Sequence, residues 1–139
     1  LRVRGLQAAG PPPALFSGVW RDVALRIVRE VALALEHAHG RGVLHRDVKP
    51  SNIAVGVDGR VFLFDFGLTL NAGDERMTRS GATVGTLLYM SPEQLTGANS
   101  ALDARTDVYS LGATLYELLT LQTPFSGADS LQLQAAVLE

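Results

Sequence analysis

"GVLHRDVKPSN", residues 42–52, sets His45, Arg46, Asp47, Lys49 and Asn52 within eight positions. The residues before it are apolar at helical spacing, so this stretch reads as the loop that leaves a helix. A connection ordinarily carries bland turn formers, whereas this one carries an acid, two strong cations, an imidazole and an amide. Lys49 is also the only lysine, since the other eleven of the 12 basic residues are arginines. Lysine is a compact charge on a flexible stem and arginine a rigid planar fork, so the exchange is not neutral chemically. A solvated loop cation is the plain alternative for Lys49 taken alone.

Outward from this loop, a helix is expected from Asp22 to about His39, with Val23, Ile27, Val31, Ala34, Leu35 and Ala38 recurring at its period. Gly40 and Gly42 supply the stop. His37 and His39 are two apart, face different sides and cannot share a metal, so both read as structural or solvated. "NIAV" and "RVFLF" after the loop are short strand-like runs, and Asp58-Gly59 between them is a hairpin signal. Residues 67–88 are rich in Gly, Thr and Ser and have no period, too long for an idle connection. A second helix is expected over 106–121, with Val108, Leu111, Leu115, Leu118 and Leu119 on its apolar side, and a third over 129–138. Residues 1–20, with Gly5, Gly10 and the run Pro11-Pro12-Pro13, read as a lead-in or linker.

Composition narrows the function classes. The 139 residues are 47% apolar and 19% charged, a globular balance with length for one core. A net charge of −2 gives no argument for nucleic acid or an anionic membrane surface as partner. No apolar run reaches the ~18 residues of a membrane span, and no secretion signal is visible. The absence of cysteine removes disulfides and thiolate metal sites. The chain begins at Leu1, which fits a piece of a longer sequence.

Four motifs then fall in order. "HRDVKPSN" is followed after thirteen residues, across the hairpin, by "DFG" at 65–67. "GTLLYMSPEQ" occupies 85–94 and "DVYSLG" 107–112. Together they resemble the catalytic loop, the metal-binding motif, the end of the activation segment and the central helix of eukaryotic-like serine/threonine protein kinases, in the style of bacterial members. Val48 stands where leucine is usual and Ser91 where alanine is commoner. The fold implied is α+β and mostly helical: the C-terminal, larger lobe of the kinase fold, with a short β-hairpin at the active-site cleft. Residues 21–139 would be a partial catalytic domain.

The resemblance assigns roles to the crowded loop. Asp47 would orient the substrate hydroxyl and accept its proton, Lys49 would contact the γ-phosphate of ATP, and Asn52 and Asp65 would bind Mg2+. Thr86 matches the threonine that links catalytic aspartate and lysine, and with Lys49 it implies serine and threonine side chains of proteins as substrates. His45 is expected to pack near Phe66, beside Gly67, and to take no part in proton transfer. Asp107 is expected to accept backbone N–H groups of the loop and to cap its helix. Arg46 is expected to meet a phosphate on the activation segment, with Thr78 and Ser80 as the preferred acceptors and Thr83 as a third, or else to form a plain surface ion pair. Residues 71–84 are expected to be poorly ordered without that phosphate. A kinase domain of this kind implies a cytoplasmic location.

The chain departs from the family in what it lacks. It shows no Gly-rich phosphate loop, and the second phosphate-gripping lysine is missing because Lys49 is the only one. Glu93 normally pairs with a later arginine, yet no Arg or Lys follows Arg105; left alone and buried, it would cost about 3–5 kcal/mol. Truncation of a longer kinase explains both gaps, and a pseudokinase-like binding module is the alternative. A small-molecule phosphotransferase is a third reading, disfavoured by "GTLLYMSPEQ".

Overall fold

The computed structural model describes residues 14–66, 84–98, 102–127 and 129–139. Thr78, Ser80, Thr83 and Gly67, with most of the segment expected to be poorly ordered, lie outside them.

Helix α1 runs from Trp20 to His39 without an interior Gly or Pro. It buries Val23, Ala24, Ile27, Val31, Leu35 and Ala38, the stripe that its period requires. A Schellman pair ends it: Val43 N–H donates to Ala38 O at 3.0 Å and Gly42 N–H to His39 O at 2.9 Å. That pair needs a left-handed residue, and Gly42 supplies it at φ 73°. Strands β1 (Ile53–Val55) and β2 (Val61–Leu63) pair antiparallel, with Ile53 opposite Leu63 and Val55 opposite Val61. The turn between them closes through Gly56 N–H to Arg60 O at 2.8 Å, with Gly59 at φ 79°.

One core joins these pieces. Val23, Ile27, Val31 and Leu35 of α1 pack with Val48 and Ile53, and the hairpin residues Val55, Val61 and Leu63 close over them. Val48 is fully buried, so the residue between Asp47 and Lys49 anchors the loop while its neighbours project from it. Burying such a side chain contributes about 1.5–3 kcal/mol.

A second, smaller core of Leu87, Met90 and Leu133 gathers the short helices α2 (Val84–Leu87) and α3 (Pro92–Leu95) against α5 (Ser130–Leu138). Ser91 caps α3 in a reciprocal box with Gln94, and Asp129 caps α5 by accepting Gln132 N–H at 2.9 Å. Helix α4 (Ala104–Thr120) packs along α1.

The buried face of α4 differs from the expected one. Val108 is 62% exposed and Leu119 40%, while Thr106, Asp107, Ser110, Ala113, Thr114 and Leu118 are buried. Its inward stripe is largely polar because Thr106, Asp107 and Ser110 bond to other segments, Ser110 Oγ donating to Tyr89 O at 2.7 Å, whereas the buried Thr114 Oγ1 has no hydrogen-bond partner among the described residues. No helix among the described residues is long and apolar enough to cross a membrane.

Candidate active site

The loop is held from below by one carboxylate. Asp107, in the first turn of α4, has no exposed surface. Its Oδ1 accepts Arg46 N–H at 2.7 Å; its Oδ2 accepts His45 N–H at 2.8 Å and meets His39 Nε2 at 2.7 Å. The helix itself is capped by Asp103, which accepts Arg105 N–H at 2.8 Å. Asp107 is therefore no N-cap: it lies inside the helix, and the loop and α1 use both its oxygens. The clamp fixes Arg46 in a left-handed backbone, φ 66°, which costs a non-glycine residue about 1–2 kcal/mol.

His45 is buried, and both its ring nitrogens are engaged with backbone. Nδ1 accepts Asp47 N–H at 3.2 Å, so the ring's hydrogen sits on Nε2, which donates to Phe64 O at 2.8 Å. The ring meets Phe66 edge-on, centroids 4.5 Å apart. This is a packing residue that ties the loop to the end of the hairpin.

Above this base stand the polar groups. Asp47 Oδ2 pairs with Lys49 Nζ at 2.8 Å, and that ammonium also donates to Thr86 Oγ1 at 3.2 Å. Asn52 Nδ2 donates to Asp47 O at 2.8 Å and to Asp47 Oδ2 at 3.0 Å. Side-chain exposures of 22% for Asp47 and 18% for Lys49 leave both within reach of a ligand. Phe64 N–H donates to Asn52 O at 2.9 Å, which seats the start of "DFG" beside Asn52. Asp65 follows, exposed and at φ 64°, a second left-handed non-glycine in the same place. Such conformations persist where surrounding contacts impose them and are concentrated at working sites.

The described residues contain no group of three or more His, Cys, Asp or Glu able to cage a metal. Magnesium takes one or two protein oxygens and completes its shell with water and phosphate. Both hydrogens of the Asn52 amide are committed to Asp47, so its carbonyl oxygen is what the side chain has to give a cation. The Asn52 carbonyl oxygen and the Asp65 carboxylate are hard oxygens of the kind that could serve that ion.

A family model described as the protein kinase domain matches residues 17–139. The chain belongs to the protein kinase family. This kinase chain is 44% identical over 113 residues to the serine/threonine-protein kinase PknE of Mycobacterium tuberculosis, a match covering 81% of it and 19% of the relative. It is 46% identical over 107 residues to PknJ of Mycobacterium bovis, covering 74% of it and 18% of that protein. PknL of M. tuberculosis also matches at 46% over 107 residues, 77% of this chain and 26% of the relative. The chain thus spans about a fifth to a quarter of the length of these kinases.

Glu93 corrects another expectation. It is only partly buried, and Thr106 Oγ1 donates to its Oε1 at 2.7 Å. Burial raises its pKa, but hydrogen bonds from Thr106, its own backbone and Ser91 act the other way and hold the carboxyl below the ordinary value. A hydroxyl thus supports the carboxylate that seemed to lack a partner. Thr106→Val should destabilise the fold by about 1 kcal/mol near neutral pH. A carboxyl with a depressed folded pKa gives stability above its unfolded pKa and loses it as pH falls through the folded value. The difference between wild type and variant should therefore shrink in acid, as urea unfolding at two pH values would show.

Two contacts had no sequence signal. His39 holds Asp107 from 68 residues away, and Gln94 Nε2 donates to Arg46 O at 2.7 Å from 48 residues away. Tyr89 donates its phenol to Glu117, and burial, then that bond and that charge, push the phenol's pKa up.

Proposed function

We propose that this chain is part of the larger lobe of a serine/threonine protein kinase, with 21–139 as partial catalytic domain and 1–20 as lead-in. The full-length parent transfers the γ-phosphate of ATP to serine or threonine hydroxyls of proteins. The observation that carries this reading is the continuous link Asn52–Asp47–Lys49–Thr86, which unites a carboxylate, a mobile cation and a metal-ligand amide at one spot.

That geometry supports the following roles. Asp47 takes the proton of the incoming hydroxyl as its oxygen bonds to the γ-phosphorus and ADP leaves. Lys49 balances charge on the phosphoryl oxygens, and Thr86 keeps the ammonium beside Asp47. Asn52 and Asp65 hold magnesium, which when bound neutralises phosphate charge. The site works with cytoplasmic ATP on protein substrates, and Arg46 receives a phosphate placed on Thr78, Ser80 or Thr83. Since Lys49 is the only lysine, a second phosphate-gripping lysine must come from outside this chain.

Labelled ATP with Mg2+ and a generic protein substrate tests the proposal. The parent should yield phosphoserine or phosphothreonine, and residues 1–139 alone should transfer nothing measurable. A parent that binds partners but transfers no phosphate would be a scaffold instead.

A further inference from the structure

The two peptide units that meet at Arg46 are both gripped. Arg46 N–H is held by Asp107 on α4, and Asp47 N–H by His45 Nδ1. The carbonyl between them is held by Gln94, two residues into α3 from its proline, at 2.7 Å. Gln94 is 9% exposed. Its orientation is set by its other partner: Ser91 N–H can only donate, and it faces Oε1 at 3.1 Å, so the NH2 group must face the Arg46 carbonyl. The buried amide is thereby satisfied at both ends.

We propose that Gln94 is a positioning residue for Asp47. The plane of the 46–47 peptide sets the direction in which the Asp47 side chain leaves the backbone. With Arg46 at φ 66°, that plane sits in a sparsely favoured conformation and would relax if its carbonyl were released. Gln94 also belongs to the same segment as Thr86, which receives Lys49. The segment therefore fixes the aspartate and the lysine through separate contacts, one on backbone and one on side chain. The inference rests on the reading of Asp47 as the proton acceptor.

The test compares Gln94→Glu and Gln94→Met with wild type in the full-length protein. Ionised Glu would turn a carboxylate oxygen on the Arg46 carbonyl, while protonated Glu can donate to it as the amide did. Gln94→Glu should thus lose about tenfold or more in kcat near neutral pH, with KM for ATP within about twofold. Relative to wild type it should recover as pH is lowered, a profile that loss of packing would not produce. Gln94→Met, similar in volume and without a donor, should show the same kcat loss and no recovery. Amide exchange across residues 45–48 should be faster in Gln94→Met than in wild type, a readout independent of turnover that still applies if Gln94→Glu does not fold. Wild-type kcat in Gln94→Met, or unchanged exchange there, would overturn the proposal. An inactive wild-type parent would instead count against the kinase reading, leaving the exchange result to decide the role of Gln94.

Discussion

Asp47→Asn in the full-length protein should lower kcat by about 10²–10⁴ and leave KM for ATP within about twofold. The substitution keeps the size and one acceptor oxygen of the side chain, so the bond from Asn52 Nδ2 can persist. The fully buried Val48 next to it still anchors the loop. What disappears is the base, together with the charge that draws Lys49 Nζ to 2.8 Å. Because Asp47 acts on the hydroxyl and not on the nucleotide, ATP affinity should be spared. Lys49→Arg should also impair turnover, since a planar fork cannot occupy the position from which the ammonium reaches both Asp47 and Thr86. Steady-state kinetics with varied ATP checks both, and wild-type kcat in Asp47→Asn would remove this residue from the chemistry.

The sequence was most legible where one physical rule acted alone. The apolar period of α1 and the Asp58-Gly59 turn placed a helix and a hairpin where they stand. The crowded loop was legible because its polar types had no other reason to be so close. The face of α4 was misjudged for the opposite reason. Counting leucines assumes that burial is apolar, whereas Thr106, Asp107 and Ser110 are buried because distant segments supply their partners. Helices α2 and α3 have four residues each, too few for any period to show. The supports of the loop were invisible for a related reason: His39 and Gln94 act through single hydrogen bonds to residues far along the chain. Such contacts leave no local pattern.

That dependence on one distant carboxylate makes Asp107→Asn the most damaging conservative change to the scaffold. Asp107 accepts three bonds, from His45 N–H, Arg46 N–H and His39 Nε2. Asparagine has one carbonyl oxygen and an NH2 group, and backbone N–H groups contact both original oxygen positions. Either rotamer therefore turns a donor against a donor. With the oxygen toward His45, the N–H of Arg46 is stranded; with it toward Arg46, the N–H of His45 is. A buried unsatisfied donor, added to the loss of charge assistance in the remaining bonds, should cost about 2–4 kcal/mol. The catalytic effect should be as clear, because the left-handed turn at Arg46 immediately precedes Asp47. A displacement of the base by about 1 Å can cost 10²-fold in rate, so kcat should fall even at temperatures where the variant is fully folded. Ser110→Ala, which removes one bond to Tyr89 O from the same helix, should cost only about 1 kcal/mol and leave kcat near wild type. Denaturant unfolding and kinetics on the two variants separate the helix's general packing from its hold on the loop. If Asp107→Asn lost no more than Ser110→Ala in either measurement, the carboxylate would be a passenger in the core and not the base of the site.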